Sequence, residues 1–244
     1  MKEVLIKEYN NLKNLRIEPK KDDYLYNIHF VEGAFCEIRG AEDTEFRIEF
    51  IDKKDGKFLH HHDINNNMWT RTNTRYFVDY LIRVKNRKTD EVIHECEYNA
   101  KGKRVMICFD SKAIGDTLAW FPYVEEFRKK HQCEVIVSTF HNEWFKGNYP
   151  DLEFIEPGDT VYNLYARYDV GWYYNKPEYH EDNTVDSNKI PFDFRKGPLG
   201  KTCSDVLGLD YKEVKPKLTF KNTGSTIEGD YVVIAPHGSA HAKY

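Results

Sequence analysis

The chain has 244 residues, 40% of them hydrophobic, and its 36 basic and 40 acidic side chains leave a net charge of −4. That balance gives no electrostatic reason to expect nucleic acid or an anionic membrane surface as a partner, and no run of about twenty apolar residues is present to span a bilayer. The opening MKEVLIKEYNNLKN lacks the apolar core of a secretion signal, so a cytoplasmic location is expected. Five widely spread cysteines, Cys36, Cys96, Cys108, Cys133 and Cys203, form no C-x-x-C pair. They argue against a disulfide framework or a zinc knot and read as buried thiols.

The length suits two small domains better than one large one. Residues 1–23 read as an N-terminal tail, and 24–101 as an antiparallel β domain. In TEFRIEFI the apolar Phe46, Ile48 and Phe50 alternate with polar neighbours. RYFVDYLIRV repeats the period of two with Tyr76, Val78, Tyr80, Ile82 and Val84, so one face of each strand is buried. Between them DKKDGK and KNRKTDE are turn segments of hairpin length.

From Arg104 the grammar changes. RVMICF is a short, nearly continuous apolar run, followed by a glycine turn and a long amphipathic segment. Parallel strands covered on both faces have that pattern. EVIVSTF as strand, HNEWFKGN as short helix, LEFI and YDVGWYY as strands and LGKTCSDVLGL as helix continue it, giving an α/β unit of Rossmann type over 102–228. Residues 175–196, polar and poor in aliphatic side chains, read as an irregular excursion over the surface. YVVIAP at 231–236 reads as one more buried strand, opening a further domain at 229–244 that the chain leaves incomplete, as the front part of a longer protein would.

The candidate chemistry is sparse. His60, His61 and His62 are consecutive, and in a strand neighbours point to opposite faces, so the three imidazoles do not converge on one metal ion. IGDT at 114–117 holds a single glycine and is neither G-x-G-x-x-G nor a P-loop. Asp116 could be the N-cap of the following helix or a general base, since ligands of open α/β sheets bind beyond the carboxyl ends of the strands. Asp110 carries the same ambiguity, bracing the turn or facing the crevice. Composition and spacing do not choose between them. Pro122 falls inside the helix and should kink it, with Trp120, Phe121 and Tyr123 packed around the kink. Lys243, in a loop after a parallel strand, is placed to neutralise phosphate or is simply solvated.

Several of these segments form a linked set. IGDTLAWFPYVEEFRKKH resembles the N-terminal signature of the ADP-heptose glycosyltransferases, and HGSAHAKY resembles their second signature. TRYF at 74–77, GDTLAWFPY, PFDFRK at 191–196 and the S-x-x-A-K-Y ending occur in the order found in the autotransporter strand-loop-strand O-heptosyltransferases. The resemblance implies a GT-B enzyme, present here as the β domain, the N-terminal Rossmann-like domain and the start of the second domain. It implies transfer of heptose from ADP-heptose to serine hydroxyls of an autotransporter passenger protein, with inversion. Asp116 then matches the family's base, Lys243 its donor-contacting lysine, and Gly115, Thr117 and Ser239 further substrate contacts. The subgroup's cysteine-bound iron site belongs to the later half, and none of the five cysteines here matches it. No cofactor or metal is therefore expected within the chain, and a homo-oligomer is a possible assembly. Two other readings compete: a heptosyltransferase acting on a lipopolysaccharide core or another glycan, which the extra β domain argues against, and a non-catalytic module that recruits a partner.

Overall fold

The computed structural model describes residues 24–40, 42–175, 184–219, 224 and 229–232. Seven strands come first: β1 (Tyr24–His29), β2 (Phe35–Gly40), β3 (Glu45–Asp52), β4 (Lys57–Asn65), β5 (Met68–Arg71), β6 (Tyr80–Asn86) and β7 (Val92–Glu97). They pair as two antiparallel sheets, β1-β2-β5 and β4-β3-β6-β7. Alternation decides the buried face. Ile48 and Phe50 of β3 sit opposite Val84 and Ile82 of β6, and all four are fully buried together with Phe46. Burial contributes about 1.5–3 kcal/mol for a side chain of that size. The sheets meet through these inner faces, where Tyr24 lies edge-on to Phe46 at 5.1 Å and Cys36 and Ile38 of β2 are fully enclosed.

Both expected hairpins form. In DKKDGK the carboxylates of Asp52 and Asp55 accept from the amides two residues on, at 3.0 and 2.9 Å, and Gly56 takes a φ of 69°, which glycine adopts without steric cost. One strand differs from its sequence pattern. β6 starts at Tyr80, so Tyr76 and Val78 lie outside it. The amides of Arg75 and Phe77 bond instead to Asn188 O at 2.7 Å and Val206 O at 2.8 Å. Those donors leave the ladder and tie the TRYF segment to the second half of the chain.

That half contains β8 (Arg104–Phe109), α1 (Ile114–Trp120), α2 (Pro122–His131), β9 (Glu134–Ser138), β10 (Leu152–Ile155), β11 (Ala166–Val170) and α3 (Leu199–Val206). Its four strands are parallel, in the order β10-β9-β8-β11, which is the 3-2-1-4 order of a doubly wound α/β sheet across its switch point. Two expected elements are shorter. HNEWFKGN forms only a 3-10 turn at Asn142–Trp144, because Asn142 is fully buried and binds the amide and hydroxyl of Thr139 and the carbonyl of Ile155. YDVGWYY leaves the sheet after Val170: Gly171 packs so tightly that an added Cβ would stand 3.0 Å from the Tyr173 ring. The segment expected to run over the surface is pinned at Ile190 and Phe194, 2% and 8% exposed. Tyr231 and Val232 are exposed and in no strand, and the rest of YVVIAP lies outside the described residues.

The two halves share one continuous core. Phe30 extends β1 into a parallel bridge with Ala166, and Tyr168 of β11 donates to Tyr98 Oη at 3.1 Å. Phe77 packs against Tyr98, Phe127 and His131 and against Gly208, which has a φ of 61° and where a Cβ would meet Phe77 at 2.0 Å. Among the described residues no helix is long and apolar enough to cross a membrane.

Candidate active site

In the order β10-β9-β8-β11 the chain leaves β8 toward β9 on one side and returns to β11 on the other, so the switch point lies beyond the carboxyl ends of β8 and β11. The loops there are bound to each other, Asp110 N donating to Val170 O at 2.9 Å. Ser111 follows. Its hydroxyl accepts from Ala113 N at 3.2 Å and donates to Asp116 Oδ2 at 2.6 Å. From the other side of the switch point, Trp172 Nε1 donates to the same oxygen at 2.7 Å. Both bonds have a charged acceptor and belong to the strong class. Among the described residues no hydrogen bond reaches Oδ1. Asp116 is half-buried, between the exposed Ile114 and the fully buried Thr117.

Asp116 is not the helix cap. The N-cap is Ala113, with no side-chain bond to the first turn, and Asp116 is the third residue inside α1, held by Ser111 and Trp172 instead. Thr117 Oγ1 donates to Ala113 O at 3.2 Å, which engages its hydroxyl within the helix. At Gly115 an added Cβ would meet nothing within 4 Å, so neither packing nor the turn demands glycine there. Beside Asp116 the surface is open.

The wall behind the carboxylate is aromatic. Pro122 breaks the helix into α1 and α2 while Phe121 between them keeps helical angles of −56° and −38°, the kink expected when an amide donor is missing. Trp120, Phe121 and Tyr123 are all buried. The Phe121 ring stacks on Phe145 at 3.6 Å, and Trp120 Nε1 donates to Leu199 O at 3.0 Å. Trp172 lies between Trp120 at 5.2 Å and Phe194 at 4.7 Å. Phe194 comes from PFDFRK, where Asp193 accepts from the Arg195 amide. Motifs far apart in sequence thus meet around one carboxylate.

Asp110 is placed differently. It is exposed and lies near Tyr173, whose hydroxyl is held far above its ordinary pKa by burial and by the charges of Asp169 and Asp110. Tyr173 therefore stays protonated. The loop between the aspartates is fixed by His141, whose Nε2 lies 3.1 Å from Lys112 O and whose ring stacks on Trp144 at 4.1 Å.

Lys243 and Ser239 lie outside the described residues. His60 and His62 share one face of β4 with their Nε2 atoms 2.7 Å apart, and His62 Nδ1 contacts Thr70 Oγ1. Among the described residues no three His, Cys, Asp or Glu side chains gather to hold a metal ion. The free cysteines are buried or half-buried in separate elements, so these residues do not fit an iron centre. A groove of about 1110 Å³ runs between the β3–β4 turn and the end of α3, lined by residues such as Asp55, His60, Phe77 and Lys201. Neither aspartate borders it, and the chemistry favours the switch point over the larger space. Sequence reasoning singled out neither Ser111 nor Trp172, the latter read only as part of the YDVGWYY strand. An aromatic residue just past β11 was the available signal.

No protein-family model matches the chain. It is 30% identical over 226 residues to the autotransporter heptosyltransferase BAHTCr of Citrobacter rodentium, covering 91% of this chain and 51% of BAHTCr. An inactive autotransporter heptosyltransferase, BimC of Burkholderia thailandensis, matches at 27% over 168 residues, 67% of this chain and 37% of BimC. Among solved structures, the iron-containing dodecameric glycosyltransferase TibC of enterotoxigenic E. coli H10407 aligns with a TM-score of 0.75 and 25% identity, over 93% of this chain and 57% of TibC. TibC has also been solved with ADP-D-β-D-heptose. The chain spans about half the length of the curated relatives it matches most fully. In sequence and in fold it is similar to an N-terminal portion of the autotransporter heptosyltransferases.

Proposed function

We propose that this chain forms the acceptor side of a cytoplasmic GT-B enzyme that transfers heptose from ADP-heptose to a serine hydroxyl of an autotransporter passenger protein, with inversion. The observation that carries the reading is the Asp116 carboxylate, fixed through Oδ2 at the switch point with Oδ1 unengaged among the described residues. A serine hydroxyl is a weak nucleophile. Asp116 Oδ1 accepts its proton as the serine oxygen forms a bond to C1 of the sugar, on the face opposite the diphosphate, while the C1–oxygen bond to the diphosphate breaks. Charge gathers on the departing ADP, where Lys243, with Ser239, is assigned to neutralise it. Gly115 leaves space for a ligand to approach the turn. Thr117 keeps that turn in shape, its hydroxyl and its amide both bonded to Ala113 O. The exposed Ile114, Phe140 and Trp172 rim the carboxyl edge, a surface suited to cover by an acceptor or a second domain. No step is assigned to iron, which in this reading belongs to residues beyond those described. The dodecameric state of TibC supports a homo-oligomer.

The test is transfer from ADP-heptose to a passenger fragment by the complete gene product. Asp116→Ala should lower the rate by about 10²–10⁴-fold, the usual contribution of a general base, with an unchanged melting temperature. Asp110→Ala should retain most of the activity, and Lys243→Ala should lose most of it. Full activity in Asp116→Ala defeats the assignment. Supplying lipopolysaccharide core in place of the passenger tests the other acceptor class. A non-catalytic module is the second reading, favoured by the inactive relative BimC; it predicts no transfer by the unmodified protein and passenger binding indifferent to Asp116.

A further inference from the structure

The geometry points to Trp172 and Ser111 as positioning residues that dictate which oxygen of Asp116 takes the proton, an inference that rests on the base assignment above. Their two donors converge on Oδ2 at 2.7 and 2.6 Å. A carboxylate free to rotate about its last bond would present either oxygen in many directions. Two donors from different loops hold the plane of the group and leave Oδ1 as the acceptor facing the crevice. Neither donor moves freely. Trp172 is wedged between Trp120 and Phe194, and Ser111 is fixed by the Ala113 amide.

A second point follows from the path of the chain. Trp172 stands just past β11 and Ser111 just past β8, on the two sides of the switch point. Asp116 is therefore oriented only when β11 is seated beside β8 and PFDFRK has delivered Phe194 behind the indole. This gives PFDFRK a role in the site although its charged side chains turn to one another, Arg195 Nε bonding Asp193 at 2.8 Å.

The experiment uses the complete gene product, three variants of the positioning residues, and Asp116→Ala alone and combined with Trp172→Phe. Trp172→Phe keeps an aromatic ring between Trp120 and Phe194 and deletes the N–H; Ser111→Ala deletes the hydroxyl; Ser111→Thr restores one. Trp172→Phe and Ser111→Ala should each lower kcat for transfer by about 10- to 100-fold, the scale of a misplaced catalytic group, with KM for ADP-heptose and the melting temperature unchanged. Ser111→Thr should recover most of the Ser111→Ala loss. Adding Trp172→Phe to Asp116→Ala should cost nothing further, because the two residues act through one carboxylate. An arm independent of activity follows the indole N–H resonances: among Trp69, Trp120, Trp144 and Trp172, Asp116→Ala should move that of Trp172 the most. Wild-type kcat in Trp172→Phe beside an inactive Asp116→Ala overturns the positioning role and leaves the base intact. An unmoved Trp172 resonance also overturns it. Full activity in Asp116→Ala overturns the base reading itself.

Discussion

The antiparallel β region and the carboxyl edge of the parallel sheet solve different problems with the same chain. In the β region the interior is apolar almost throughout, with Thr70 and Thr72 as its buried polar side chains. Thr72 serves as a brace, accepting from the Ala34 amide at 3.0 Å and pairing with Tyr80 Oη. At the carboxyl edge, Thr117, Ser138, Thr139 and Asn142 are all buried, and the Asn142 and Thr139 bonds fix the loop between β9 and β10. The first region is held by area removed from water, which is non-directional and tolerant of detail. The second is held by directional bonds that place particular atoms. A carboxylate proposed to meet a substrate hydroxyl needs the second kind of support.

The largest expected effect separates the two by breaking the β region. Phe50→Ala should remove about 3–5 kcal/mol of stability, as truncation of a fully buried phenylalanine does, seen as a lower urea midpoint at an unchanged slope. The transfer rate per folded molecule should stay the same. A fall in kcat at full occupancy of the folded state would mean that the β region is part of the site rather than its support.

A middle effect comes from where the regions meet. His131, at the end of α2, packs against Phe77 and Tyr98, and its Nε2 is buried with no partner among the described residues. Burial, with a smaller contribution from Lys130, pulls its pKa down to about 4. In the unfolded chain the imidazole takes a proton below about 6.5, while in the folded protein it resists until about 4. The unfolded state therefore binds more protons between those values, and stability falls as pH falls across that window. His131→Leu should flatten this acid loss and leave neutral stability equal or about 1 kcal/mol higher, since a buried unpaired polar atom disappears. Thermal melts at pH 7 and pH 5 measure both. An acid loss unchanged in His131→Leu assigns it to other groups.

The smallest effect sharpens the comparison from the other side. Gly115→Ala adds a methyl that touches nothing in the first turn of a helix, where alanine is favoured by up to about 1 kcal/mol. Stability should hold or rise slightly while transfer falls. Equal loss of stability and activity would mean that the glycine serves the fold after all.

Much of this was legible in the residues. The period of two in TEFRIEFI placed Phe46, Ile48 and Phe50 inward, because alternation on a pleated strand is a local property, and RVMICF followed by an amphipathic stretch announced a parallel strand and its helix for the same reason. The ends of elements were less legible. Tyr76 and Val78 continue the alternation of β6 but stand outside it, since the amides of Arg75 and Phe77 find carbonyls more than a hundred residues away. Local sequence left Asp116 open between a helix cap and a general base, because both roles fall at the same few positions around a helix start.

By itself, then, the sequence determined the order of sheet types, the kink at Pro122 and the linked motifs that single out Asp116. Only the tertiary structure decided how that carboxylate is held, because one donor, Ser111, is five residues away and the other, Trp172, is fifty-six. Periodicity and propensity act between near neighbours along the chain. The bond between Trp172 and Asp116 exists only after β11 has closed against β8, and no local pattern records it.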